Sequence, residues 1–308
     1  MKLVRYQTAK GPKLGFLAGN EIVVAPDVPE CRDTTAFIQS GRKGRVLATK
    51  QLKNKRAKRL PLSKAKLLAP LLPSTILCSG SNYTDHNAEK SNTPISGKEP
   101  EFFVKTADCV VGPGAAIIHD DRLSKKIDCE TELAVVIGKP GRYIPVEKAL
   151  EHVFGYTIVN DVTARDRQVR QKDGVTWYEL GRGKAFDTSA PLGPCIVTAD
   201  ELGDPQNLKL MTRINGEPRQ SSHTGRMIWT CAQLIHFFST NFTLKPGMVI
   251  ITGTPSGTAW SVDKELGGKF TAQPGLVAAT RYCLPGDVIE SEIERIGILK
   301  NPIKAYTG

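Results

Sequence analysis

The sequence predicts an α+β chain rich in strands: a mixed β-sandwich or β-roll with a few appended helices, preceded by a small N-terminal α/β domain. Three observations predict it. Short apolar runs punctuated by Gly, Pro and Asp recur from residue 74 to the end, the pattern of strands joined by tight turns. Helical spacing is clear in only two stretches, "VEKALEHV" and "TCAQLIHFFSTN". Pro70 and Pro73, in "LLAPLLPSTILCSGSNY", mark a passage between two units, residues 1–70 and 71–308.

Taken in order, residues 1–26 read as strands broken at Gly11 and Gly19-Asn20, with "KLGFLAG" and "EIVVAP" as a hairpin. A helical stretch through the basic segment 41–66 follows. Beyond Pro73, strands are expected in "STILCSG", "EFFVKT", "AAIIH", "ELAVVIG", "GYTIVND", "GPCIVTA", "LKLMTRING", "GMVIITGTPSG" and "DVIESEIERIG", and a further helix is expected to start after Asp161. Internal repeats and low-complexity stretches are absent from the sequence.

At 308 residues and 33.5 kDa the chain can bury a large core. The opening "MKLVRYQTAKGPKLG" has no apolar leader, and no window approaches the roughly 18 consecutive apolar residues of a membrane span. The expectation is a soluble cytoplasmic protein with no membrane partner. Seven scattered cysteines without a C-x-x-C spacing read as reduced, buried thiols. The formal charge of +11 arises in residues 41–66, which hold eleven Lys and Arg and no acid, leaving 31 residues of each sign elsewhere. Without interleaved aromatics this run reads as a solvated helix face, and no nucleic-acid partner is expected.

The chemistry is concentrated around "IDCETELAVVIGK". Residues i and i+2 of a strand share a face roughly 6.5 to 7 Å apart, so Glu130 and Glu132 look into one space. Such a pair alone is also at home on a solvated strand edge, with Lys125 and Lys126 as partners. Cys129, between them, points to the opposite face. Asp161 ends the apolar strand "FGYTIVND" and can face the pair if the two strands are neighbours, as sequential strands often are. Three carboxylates around one point call for a cation. Hard oxygen donors suit Mg²⁺, Mn²⁺ or Ca²⁺, and the lack of clustered His and Cys argues against zinc. His86 and Glu89, in "DHNAE", are three apart and meet on one side of a helical turn, where Glu89 can orient the imidazole as a general base.

In order and spacing, residues 73–303 resemble the fumarylacetoacetate hydrolase family through nine segments: "SNYTDHNAE", "FFVK", "DCETELAVVIGK", "GYTIVNDVTARDRQ", "GKAFDT", "GPCIVTADEL", "QSSHTGRMIW", "KPGMVIITGTPSG" and "PGDVIESEIERIGILKN". The resemblance implies a metal-binding set of Glu130, Glu132 and Asp161. It implies a base and its orienting group in His86 and Glu89 on a mobile lid, with Lys184 as the cation that stabilises enolate or oxyanion charge. Arg165, Gln168 and Thr254 are the implied substrate contacts, whereas His119, His152, His223 and His236 match no catalytic position. The implied substrate is a 2-oxo or β-diketo acid chelating Mg²⁺, or Mn²⁺ or Ca²⁺ in its place. The leading reaction is hydrolysis of a C–C bond in an acylpyruvate or fumarylacetoacetate type of acid through a metal-bound enolate, with His86 activating water. The alternative is decarboxylation or tautomerisation (isomerisation) of a 2-oxo acid, oxaloacetate-like or a hydroxy-dienoate, at the same metal site. A homodimer is implied as well. The sequence departs from the family pattern in the 26 residues between "TGTPSG" and "LPGD", and in the absence of a proline after Lys105.

Overall fold

A computed structural model describes residues 1–89, 98–269 and 273–308. Its centre is a twelve-stranded sheet. Two inner strands, Thr131–Ile137 and Val153–Asn160, are buried along their whole length. Their composition explains this, because a near-continuous run of β-branched and aliphatic residues suits a strand covered on both faces. Leu133, Val135 and Ile137 enter one apolar cluster while Ala134 and Val136 enter the cluster on the opposite face. Strand alternation thus separates the core into two layers.

Outward on one side lies Ala190–Thr198, which pairs with Val153–Asn160 and also with Lys2–Thr8. The strands Gly11–Ala18, Glu21–Val24 and Arg59–Pro61 continue the sheet beyond it, so the N-terminal segment extends the central sheet directly. Outward on the other side come Val249–Ile251, Ile76–Gly80 and Glu101–Lys105. A second sheet of five strands, among them Lys209–Ile214, Glu217–His223, Val288–Ile293 and Gly297–Ala305, packs on the first through Leu210, Ile293 and Leu299. Helix Cys231–Asn241 covers the same layer with Leu234, Ile235 and Phe238, and its start is fixed by a capping box of Thr230 and Gln233. The architecture is strand-rich α+β, as the sequence predicts.

Four local readings change. The helix in the basic segment ends at Lys53; Asn54 leaves the helical region, and the chain then joins the sheet at Arg59–Pro61. "VEKALEH" forms a 3₁₀ helix, Val146–His152. The helix after Asp161 is a single turn, Arg165–Gln168, because the chain enters the hairpin Val169–Lys172/Val175–Tyr178. That hairpin turns at Asp173-Gly174, both at positive φ, a two-residue Asp-Gly signal that the sequence carries. The last strand, Gly297–Ala305, is also additional. No helix among the described residues is long and apolar enough to cross a membrane.

Candidate active site

Strand directions deliver the site to one end of the central sheet. Thr131 stands opposite Asn160 in the antiparallel pair, so the entry to one strand lies beside the exit of the other. The Asp161 N–H donates to the Glu130 carbonyl at 2.8 Å, which fixes the third acid next to the first two. Val249–Ile251 runs antiparallel to Ala134–Val136 and parallel to Ile76–Cys78, so the segments after both strands emerge at the same edge. There the Gly253 N–H donates to Glu132 Oε2 at 2.6 Å. Gly253 has φ +86°, and a Cβ on it would fall 2.8 Å from Asn82 Cβ, so the position demands glycine. Asn82 in turn donates to the Thr252 carbonyl at 2.8 Å, tying the two strand ends together.

One oxygen from each of Glu130, Glu132 and Asp161 lies within 4.8 Å of the others, and all three residues are buried. Besides the metal that the sequence calls for, the structure supplies three side-chain cations: Lys184 bridges Glu130 and Asp161, Lys105 lies 2.8 Å from Asp161 Oδ1, and Arg165 donates to Glu130 Oε1 at 2.5 Å. Arg165 also pairs with buried Asp128 at 2.8 Å. Four acids therefore meet three cations, and among the described ion pairs Glu132 has none. Burial, then the charges of Asp161 and Glu130, push the Glu132 carboxyl well above the usual range. Burial also works against ionised Glu130, but the charges of Lys184 and Arg165 outweigh it and hold that carboxyl low. For Lys184, burial is outweighed by Asp161 and Glu130, which hold the ammonium protonated. The donor set suits a divalent cation on two further counts: all three ligands are hard carboxylate oxygens, and Asp161 Oδ1 is buried without a hydrogen-bond donor. Lys105 is close to that oxygen, yet its Nζ protons are directed at the carbonyls of Lys184 and Ser189 and at Ser189 Oγ, at 2.5, 2.7 and 3.0 Å.

The remaining residues singled out in the sequence converge on the same space. His86, in the short helix Thr84–Ala88, places Nδ1 2.9 Å from Glu89 Oε2, and both side chains are buried. His86, Arg165, Gln168, Lys184 and Thr254 line one cavity with the three carboxylates, closed by Phe103, Leu180 and Trp260. Its volume of about 30 Å³ holds roughly two waters. Arg165 is buried and donates to Gln168 Oε1 at 2.9 Å, so neither residue belongs to an exposed helix start. Thr254 Oγ1 donates to the Thr131 carbonyl at 3.0 Å and accepts from Gln220 at 2.9 Å. The four other histidines lie elsewhere, each hydrogen-bonded to a backbone group. Cys129 turns away from the carboxylates toward Cys283, 3.5 Å between sulfurs, and all seven cysteines are free and buried.

Besides the apolar walls Phe103, Leu180 and Trp260, two charged residues beside the site were not assigned from sequence. Asp128 extends the alternation of Glu130 and Glu132 by one more step, which is the signal that could have found it. Lys105 is fully buried, and the sequence shows it only as a charge closing an apolar strand. Lys105→Met removes one of the two counter-charges of Asp161 and one of the two donors to the Ser189 carbonyl, so an unfolding free energy lower by about 1–3 kcal/mol is expected. Urea titration at unchanged m-value checks this.

A sequence model described as fumarylacetoacetate (FAA) hydrolase C-terminal matches residues 75–304. The chain belongs to the fumarylacetoacetate hydrolase family. Within it, the chain is 38% identical over 312 aligned residues to the mitochondrial oxaloacetate tautomerase of Bos taurus, covering 98% of this chain and 91% of that one. Among solved structures of the family, the fumarylacetoacetate hydrolase of Exiguobacterium antarcticum superposes with a TM-score of 0.79 at 34% identity, covering 99% of this chain and 100% of that one. Maleylpyruvate hydrolase from Sphingobium sp. SYK-6, in complex with manganese(II) and pyruvate, gives 0.77 at 25% identity, with both chains fully covered. Family membership makes the chain a member of an enzyme superfamily whose relatives include tautomerases, isomerases and hydrolases.

Proposed function

We propose that this family member interconverts the keto and enol forms of a compact 2-oxo dicarboxylic acid of the oxaloacetate class, with a divalent cation as cofactor. One observation carries the proposal: His86, backed by Glu89, opens onto the same enclosed space as Lys184 and the three carboxylates. A proton acceptor and a stabilising ammonium thus flank one small substrate site. The end-to-end likeness to an oxaloacetate tautomerase supports the substrate class. Glu130, Glu132 and Asp161 would hold the cation, which would supply Lewis-acid polarisation of the substrate's 2-oxo group. His86 takes a proton from C3, and the electron pair of that bond becomes the C2=C3 double bond. Lys184 donates a hydrogen bond to the oxygen that gains charge. Return of the proton to oxygen gives the enol, and its return to C3 gives the keto form. Arg165 and Gln168 form the wall against which the distal carboxylate rests.

A second reading, hydrolysis of a β-diketo acid, is favoured by the His86–Glu89 pair itself, since that arrangement also suits deprotonation of a water. Proton NMR in D₂O separates the two. Tautomerisation exchanges the C3 protons of oxaloacetate for deuterium without cleaving the acid, whereas hydrolysis splits an acylpyruvate into two acids. If the protein splits acylpyruvates and leaves oxaloacetate C3 unexchanged, the first reading is wrong.

The pH dependence follows from the dyad. Burial pushes the Glu89 carboxyl up to about 8; Asp128 and Asp85 add to this, while the Gly257 N–H and Arg165 oppose it. Protonated Glu89 donates to Nδ1 and places the imidazole proton on Nε2, the wrong tautomer for a base. Ionised Glu89 accepts from Nδ1–H and frees Nε2. The rate should therefore rise with pH through about 8 and level off above it. Glu89→Gln should remove that limb and lower the plateau by about 10²-fold. An unchanged limb in the variant would assign it to another group.

A further inference from the structure

We infer that Trp260 sets substrate length: its indole is the wall that confines the pocket to short 2-oxo acids. Trp260 stands at the start of the long segment 259–283, of which residues 270–272 lie outside the described residues. Within the described part, its backbone is pinned to the floor of the site. The Ala259 and Trp260 N–H groups donate to the two oxygens of Asp128 at 3.0 and 3.1 Å, and the same carboxylate accepts from Arg165 Nε at 2.8 Å. The indole is held too, since Nε1–H donates to the Leu266 carbonyl at 2.9 Å. Its ring lies 5.1 Å from the Arg165 guanidinium carbon and 5.9 Å from the Tyr178 ring, with the His86 imidazole 6.3 Å away on the active-site side.

A residue fixed at its backbone, its ring nitrogen and its ring face does not swing aside as a free side chain does. Of the polar groups its ring approaches, Arg165 is the one placed beside the distal carboxylate and His86 the one placed beside C3. Phe103 and Leu180 form the other apolar walls, so the chain of a longer acid that extends past Arg165 meets the indole. Removing a rigid aromatic wall of this kind relaxes discrimination against extra methylenes, which in an apolar pocket amounts to roughly 10–200-fold each. Asp128 couples this wall to Arg165, so the size limit and the distal contact are set by one carboxylate.

This inference rests on the 2-oxo acid reading of the site, so its test needs no turnover. Binding of pyruvate, 2-oxobutanoate, 2-oxopentanoate and 2-oxohexanoate to the Mn²⁺-loaded protein is measured by calorimetry, and the readout is the ratio of affinities between the shortest and longest acid. The wild type is expected to prefer pyruvate over 2-oxohexanoate by at least about 10-fold. Trp260→Leu and Trp260→Ala should bring that ratio to within about threefold, and Trp260→Phe should fall between. An unchanged ratio in the Leu and Ala variants overturns the inference, and so does a uniform loss of affinity for all four acids, because the indole would then only support the fold. A wild type that binds long and short acids alike also overturns it. Absence of C3 exchange on oxaloacetate sinks the proposed reaction instead, and leaves the length ratio standing.

Discussion

Glu132→Gln abolishes divalent-cation binding and metal-dependent activity, while the metal-free protein folds as before or gains slightly in stability. The expectation follows from the charge balance. Among the described residues, Glu130 has Lys184 and Arg165, Asp161 has Lys184 and Lys105, and Glu132 has only the Gly253 N–H at 2.6 Å. In the absence of a cation, its charge is repelled by the other two carboxylates within 4.8 Å, and the amide removes that repulsion while keeping an oxygen for Gly253. With a cation the same charge is the one that no side chain of the described site balances. Mn²⁺ affinity should fall by about 10²-fold or more, beyond what loss of an outer-shell partner costs. Melting curves provide the second arm. Metal at a hundred times the wild-type dissociation constant stabilises the wild type by about 2.7 kcal/mol and should stabilise the variant by no more than about 0.4 kcal/mol. Wild-type metal affinity in Glu132→Gln would remove this residue from the ligand set.

His86→Ala lowers the rate of C3 proton transfer by about 10² to 10⁴, the loss expected when a general base is deleted. Lys184→Ala lowers it by about 10² to 10³, because the ammonium that meets the developing oxyanion is gone. The two variants separate by other observables. His86 pairs with Glu89 at 2.9 Å and is not one of the three clustered carboxylates, so its removal should leave metal affinity near wild type. Loss of Lys184 exposes Glu130 and Asp161 to each other, so the metal-free form of that variant should melt lower and the metal-bound form recover. Decarboxylation of oxaloacetate needs no base at C3, so it would survive His86→Ala far better than Lys184→Ala. Full tautomerisation in His86→Ala would place the base elsewhere.

Much of the site is legible in the sequence because strand alternation is rigid. Glu130 and Glu132 share a face through a period of two, and Asp161 joins them because consecutive strands pair antiparallel, with Thr131 opposite Asn160. His86 and Glu89 meet because residues three apart share one side of a helical turn. What escaped is what depends on long-range placement. Lys105 reaches Asp161 and the Lys184 carbonyl from a strand near the far edge of the sheet, and Trp260 returns to Arg165 from a segment 95 residues later in the chain. No local period encodes either contact. The side-chain cations around the three acids escape for the same reason, since Lys105, Arg165 and Lys184 come from three separate elements. In the basic segment, the charge run extends past the helix because lysines and arginines are tolerated as well on the edge strand Arg59–Pro61 as on the helix Arg42–Lys53.

The most direct measurement is deuterium exchange at C3 of oxaloacetate by the wild-type protein, followed by NMR after chelation and again after adding back Mn²⁺ or Mg²⁺, with Glu132→Gln at the same metal concentration as the control for catalysis by free ions. A metal-dependent tautomerase predicts exchange that falls to the background rate in chelator, returns on addition of metal, and stays at background in the variant. Exchange that continues unchanged in chelator, or that the variant restores as fully as the wild type, would contradict it.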